Sequence, residues 1–254
     1  MRCVIGLAIL TTTLLFPVVL RADAIVDNSL SLTGLQITPA SGSVQLQSGF
    51  AASAFAEAKD SLGGFSQQFT TVDDGATSAS AATTLAHANA AASVPGLTAS
   101  TSGGVNIPEI NAFAESTANG GPGSLIGSFE IVGTSGPVSV QLAAPLMGSQ
   151  SLLTTGGGRF ATSEIFFSLL LPSVSSSPLL FYDNPLRIGP NSKLNFTYSN
   201  TLTASVTLQA DTPYLLIAEV DPDSSALNGT PEPSLFALTA LGLCVLFVAR
   251  RRRS

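Results

Sequence analysis

Along most of the middle of this chain, apolar and polar residues alternate in short stretches cut by Gly, Pro, Ser and Asp. A side chain that recurs every second residue lines one face of a strand but no face of a helix, so this pattern constrains the fold more than any other feature. Val44 and Leu46 alternate with Gln45 and Gln47, Phe129 and Ile131 with Glu130, and Val138, Val140 and Leu142 with Ser139 and Gln141. The last two segments flank Gly133–Pro137, which reads as a hairpin connection. Residues 193–199 and 202–208 form a second candidate hairpin, and residues 211–220 a late strand closed by Asp221-Pro222. Strands at intervals of about 8–12 residues with no helical interlude predict an all-β fold, an antiparallel β-sandwich of jelly-roll-like type.

Residues 51–92 test that reading, because alanine is the best helix former and is poor in strands. Here, however, Ala52, Ala54, Ala56 and Ala58 recur at every second position, as do Ala86, Ala88 and Ala90, and later Ala112 and Ala114. Period 2 with a small face predicts close-packed strands, with Asp73-Asp74-Gly75 as a turn between two of them.

The two ends have a different character. Arg2, the apolar run from Val4 to Leu20 and the small-x-small triplet Ala22-Asp23-Ala24 read as a signal peptide, residues 1–24, cut after Ala24. At the other end Pro231, Glu232 and Pro233 precede an uncharged run from Ser234 to Ala249, followed by Arg250, Arg251, Arg252 and Arg253. Sixteen helical residues reach about 24 Å, short of a hydrocarbon core about 30 Å thick, but flanking arginines can snorkel to the headgroups. The arginine cluster places the tail's end in the cytoplasm and the chain before Pro231 across the membrane.

This order of signal peptide, Pro-Glu-Pro, apolar span and terminal arginines resembles the PEP-CTERM sorting domain of bacterial surface proteins. The resemblance covers residues 231–254. It implies processing at or near Pro231-Glu232-Pro233 by an exosortase, a membrane-embedded cysteine transpeptidase or protease, in a Gram-negative bacterium that makes exopolysaccharide. The membrane is then a transient partner of the C-terminal helix.

Assigning the ends changes the chemistry left in the middle. Cys3 and Cys244 both lie in the targeting segments, so residues 25–230 hold no cysteine for a disulfide, a thiolate nucleophile or a zinc site. The same residues carry Lys59, Arg159, Arg187 and Lys193 against 14 acids, a balance of −10 that argues against nucleic acid as a partner.

A Ser-His-acid triad would have to use His87, the single histidine, and no Gly-x-Ser-x-Gly elbow accompanies it. The acids Glu109, Glu115, Glu130, Glu164, Glu219 and Asp221 form no tight motif for glycoside hydrolysis. Asp221, Asp223 and Ser225 sit at calcium-loop offsets, but Ala226 occupies the position where the sharp turn needs Gly. Gly156-Gly157-Gly158-Arg159-Phe160-Ala161 fits a dinucleotide pattern superficially, without the βαβ setting that gives it meaning. Trp is absent, and most of the 14 Phe occupy alternating positions that read as core.

The expectation is a sandwich domain over residues 25–220 and a polar linker over 221–230, between a signal peptide and a sorting signal. It has no catalytic residue, cofactor or metal site, and is exported to the cell surface or extracellular matrix in a structural or adhesive role linked to exopolysaccharide and biofilm. The alternatives are a polysaccharide- or calcium-binding module and, third, a carboxylate glycoside hydrolase.

Overall fold

The computed structural model describes residues 23–107, 113–117, 123–155 and 159–228. Among them are fifteen strands and no helix, and every strand pairing is antiparallel. The 7-stranded sheet runs β14 (Lys193–Gln209), β11 (Pro137–Thr154), β1 (Ala24–Leu32), β8 (Thr98–Ile107), β7 (Ala86–Ser93), β6 (Ala76–Ala82). Its remaining strand, β2 (Gln36–Pro39), also pairs with β11.

The 8-stranded sheet runs β13 (Leu180–Ile188), β12 (Arg159–Leu170), β15 (Tyr214–Asn228), β9 (Phe113–Thr117), β4 (Ala51–Asp60), β10 (Gly123–Val132), β3 (Ser43–Leu46), with β5 (Phe65–Asp73) on the far side of β4. β10 also pairs with β15, so β9 and β10 share one flank of that strand. The sheets face each other as in a β-sandwich: β12 packs over β11 and β1, β15 over β1 and β8, and β4 over β7 and β6.

The interior has two halves. One is built from large side chains, among them Leu30, Phe50, Phe129, Leu142, Ile165 and Phe167, all fully buried. The other is built from the alternating alanines: Ala54, Ala56 and Ala58 of β4 face Ala79 and Ala81 of β6 and Ala86, Ala88 and Ala90 of β7. Methyl groups make a thin layer, so Cα atoms of β4 lie within 8 Å of those of β6 and β7, where facing sheets ordinarily stand about 10 Å apart. Two glycines serve the same close packing. A Cβ at Gly123 would lie 3.0 Å from the Ala91 carbonyl oxygen of the opposite sheet, and one at Gly127 would lie 2.3 Å from Phe50 Cγ.

A buried polar belt divides the two halves. Asn28 and Gln150, paired across β1 and β11, both reach to the other sheet. Asn28 Nδ2 donates to Ser163 Oγ (3.2 Å), the Glu164 carbonyl (3.3 Å) and the Asp223 carbonyl (2.7 Å), while Asn28 Oδ1 accepts from Gly103 N (3.1 Å). Gln150 Nε2 donates to Ser163 O (3.1 Å), Ser163 Oγ (3.0 Å) and Asn184 O (3.0 Å), and Asn184 Nδ2 donates back to Gln150 Oε1 at 2.7 Å. Sheet-to-sheet hydrogen bonds of this kind fix the sliding position of the two layers, which apolar contacts alone leave soft.

Three sequence expectations are corrected. Residues 133–136 do not close a hairpin: Gly133 and Gly136, at φ 76 and 74, turn the chain out of the 8-stranded sheet into the 7-stranded one. The proposed break at Asn200-Thr201 is absent, because β11 supplies a partner in register from Leu153↔Lys193 to Pro137↔Gln209 and the polar pair stays in one strand, β14.

Residues 221–228, expected as linker, continue β15. Pro222, Ser224 and Ala226 point inward and are buried, and Pro222 falls between the stretches paired to β10 and to β9, where a missing N–H costs no ladder bond. The expected alternating strands at Ala52–Ala58 and Ala86–Ala90 are present, and Asp74, at φ 53, makes the turn after β5. Ala22, Gly156–Gly158 and the residues from Pro231 to Arg253 lie outside the described residues.

Candidate functional site

Carboxyl groups scattered in the sequence meet on the outer face of the 8-stranded sheet. Glu219, Asp221 and Asp223 alternate with inward residues along β15 and so share its outer side. Across the ladder to β12, Asp223 is opposite Glu164, and Asp221 is opposite Phe166, whose other neighbour is Asp183 of β13.

Crowding like charges at a half-buried face makes ionisation costly. Burial and then the neighbouring carboxylates Asp223, Glu219 and Glu164 push the Asp221 carboxyl up to about 7. Burial also raises Glu219, and burial followed by the Asp183 charge and hydrogen bond raises Glu164. Arg187 stands beside this row with its guanidinium 5.2 Å from the Phe160 ring centre. Thr162, Glu164, Pro185, Arg187 and Asp223 line a cleft of about 280 Å³.

Asp221 is thereby placed to exchange a proton near neutrality. A glycoside-cleaving pair needs carboxyl groups about 5–9.5 Å apart. Glu164 and Asp183 are instead close enough to hydrogen-bond to each other, nearer than that spacing. Among the described residues no group of three His, Cys, Asp or Glu side chains could hold a metal ion. Asp221, Asp223 and Ser225 lie along one face of an extended strand at about 6.8 Å intervals rather than around a loop, which removes the calcium-loop geometry.

His87 lies on the outer face of the other sheet. Its paired residues are Gly104 and Ala82, so no nucleophile stands directly beside it. Asp27 approaches from β1: a Cβ on Gly104 would meet His87 Cε1 at 2.6 Å and Asp27 Oδ1 at 2.7 Å. The bare glycine gives both side chains room to lean over it.

Also on that face runs a groove of about 520 Å³ floored by hydroxyl and amide groups, with Ser29 and Ser31 from β1, Ser100 and Ser102 from β8, Asn89 from β7 and Ser80 from β6. Its far rim is held by β5, whose Gln68 Oε1 accepts from Ser80 N at 2.7 Å. Not all phenylalanines are core: Phe65 and Phe69 on β5 are 61 % and 60 % exposed, and Phe160 on β12 and Phe181 on β13 are exposed as well.

The fold's two ends meet at one pole. Ala24, the last residue of the expected cleavage triplet, is fully buried at the start of β1, and Asp23 N donates to Thr155 Oγ1 at 2.8 Å while Thr155 N donates to Asp23 O at 2.8 Å. Arg159 opens β12 opposite Asn228, the last residue of β15. The Arg159 side chain is 1 % exposed, and its Nε and Nη1 have no hydrogen-bond partner among the described residues. Burial draws its pKa down and the nearby Asp23 carboxylate opposes that.

Comparison with protein-family models, curated proteins and solved structures finds no match.

Proposed function

We propose that this chain is an exported surface or extracellular-matrix protein with a structural or adhesive role linked to exopolysaccharide. In this reading it is delivered by its signal peptide, held briefly by a C-terminal membrane helix and processed by an exosortase at Pro231-Glu232-Pro233. The domain between is a jelly-roll-like sandwich that carries no catalytic residue.

One geometric observation supports this beyond the sequence. Strand β1 begins and strand β15 ends at the same pole, beside Thr155 and Arg159. A tether at that pole leaves both broad faces and the opposite pole open to the surroundings.

Mass spectrometry of the surface fraction tests the processing. The expected product begins at Ile25 and ends at or near Pro231-Glu232-Pro233. A product retaining Arg253 overturns the sorting reading, and one retaining Met1 overturns export by signal peptide.

The hydroxyl-lined groove favours a second reading, a polysaccharide-binding module. Retention of the protein on the host's own polysaccharide, abolished when Ser102→Phe blocks the groove floor, distinguishes it from a matrix component that binds nowhere in particular.

A further inference from the structure

A sandwich has four outer edges, and two of them here, those of β6 and β13, carry devices that discourage further pairing. The open side of β6 is taken by β5: Thr70 Oγ1 donates to the Ser78 carbonyl at 3.0 Å and Gln68 accepts from Ser80 N. Side chains of β5 thereby cover the open side of β6. On the other flank, β13 carries Pro185 with Asp183 and Arg187, the residues that blunt an edge strand.

Strand β14, beside β13 in the opposite sheet, carries none of these beyond its first residue. It is 17 residues long, with Lys193 as its single charge and neither Pro nor Gly, and it is rich in Thr, Val, Leu and aromatic residues. Among the described strands only β11 pairs with it.

The backbone parity of this edge is fixed by Pro145. Proline has no N–H to give, and it stands opposite Thr201. Thr201 N turns the other way and donates to its own neighbour, Asn200 Oδ1, at 2.9 Å. Gln209 N, of the same parity, also turns outward, to Tyr214 Oη at 2.8 Å. Odd-numbered residues of β14 therefore present their backbone groups at the open edge.

We propose that this edge pairs with the same edge of a second copy of the chain, antiparallel and centred on Thr201, so that two 7-stranded sheets become one continuous sheet. The sequence is self-complementary in that register. Inward residues meet inward residues: Leu194 faces Leu208 of the other copy, Phe196 faces Val206, and Tyr198 faces Ala204. The solitary Lys193 falls opposite Gln209, so no like charges oppose one another. Odd residues face odd residues, so the outward N–H and C=O groups of Thr197, Ser199, Thr203 and Ser205 exchange the paired hydrogen bonds of an antiparallel ladder, and Thr201 N exchanges Asn200 Oδ1 for the carbonyl of the other copy. The contact is isologous and closes at two copies.

Single cysteines test both the pairing and its register, on the full chain carrying Cys3→Ser and Cys244→Ser. Under mild oxidation Thr201→Cys is expected to give mostly disulfide-linked dimer, since Cα atoms of directly paired residues lie about 5.5 Å apart, within disulfide reach. Thr197→Cys and Ser205→Cys chains are expected to cross-link when mixed and not when separate. Little dimer from Thr201→Cys, or equal cross-linking of Thr197→Cys with itself, overturns the proposal. As a second measurement, Thr203→Pro deletes an N–H that serves only the open edge. It is expected to sediment as a single chain, and a folded variant that still sediments as a dimer overturns the pairing.

Discussion

Asn28→Ala is expected to lower the unfolding free energy by about 3 kcal/mol, the largest loss from any single polar substitution in the interior. The substitution removes a donor to Ser163 Oγ and to the Glu164 and Asp223 carbonyls, together with the acceptor of Gly103 N, all inside the polar belt. Each buried group left unmatched costs about 1–3 kcal/mol, and the missing amide leaves a void. In a domain of this size that is a fall in melting temperature of about 6–12 °C.

Gln150 shares Ser163 Oγ as acceptor with Asn28, so the two sites are not independent. Asn28→Ala and Gln150→Ala together are expected to cost clearly less than the two added. Thermal melts of the single and double variants check this. A loss below about 1 kcal/mol for Asn28→Ala would show that the belt is not a structural element.

The second large effect has the opposite sign and depends on pH. Burial and the carboxylates of Asp223, Glu219 and Glu164 carry the Asp221 carboxyl from its ordinary 3.8 to about 7. The folded form thus binds a proton that the unfolded chain releases near pH 4. Stability from this site is fully present below about pH 4 and is lost as pH rises through about 7.

Asp221→Asn replaces the acid with a neutral isostere. It is expected to stabilise the protein by about 2–4 kcal/mol at pH 8 and by little at pH 4, since tenfold in proton affinity is about 1.4 kcal/mol. Denaturant titrations at the two pH values read the difference. Equal effects of Asp221→Asn at both would sink the account of this face as a proton store.

Strand identity was legible from period 2 even where propensity pointed to helix, as Ala52 to Ala58 and Ala86 to Ala90 show. Alternation survives because a methyl face can be buried only against another thin face, and β4, β6 and β7 supply one another. Partnership between strands was not legible. The segments on either side of Gly133–Pro137 follow each other in sequence but lie in different sheets, and no local signal says that a turn changes layer.

The acidic face was hidden for a related reason. Glu219, Asp221 and Asp223 already alternate in the sequence, but Pro222 and the polar residues after it have the composition of a linker. Glu164 and Asp183 join them only because β12 and β13 follow β15 across the sheet. His87 was found as a lone histidine, whereas its neighbour Asp27 lies on a strand 60 residues earlier in the chain, with Gly104 between them.

The position of β15 bears on how the protein would respond to being pulled. Any load entering through the C-terminal tail arrives at Asn228 and runs along the axis of a strand laddered on both sides, to β12 over residues 217–228 and to β9 and β10 over most of the same length. Such a force shears many hydrogen bonds at once instead of peeling them one by one from an edge. A chain held by that end, as the proposed sorting implies, would meet the load with the strongest direction of its sheet.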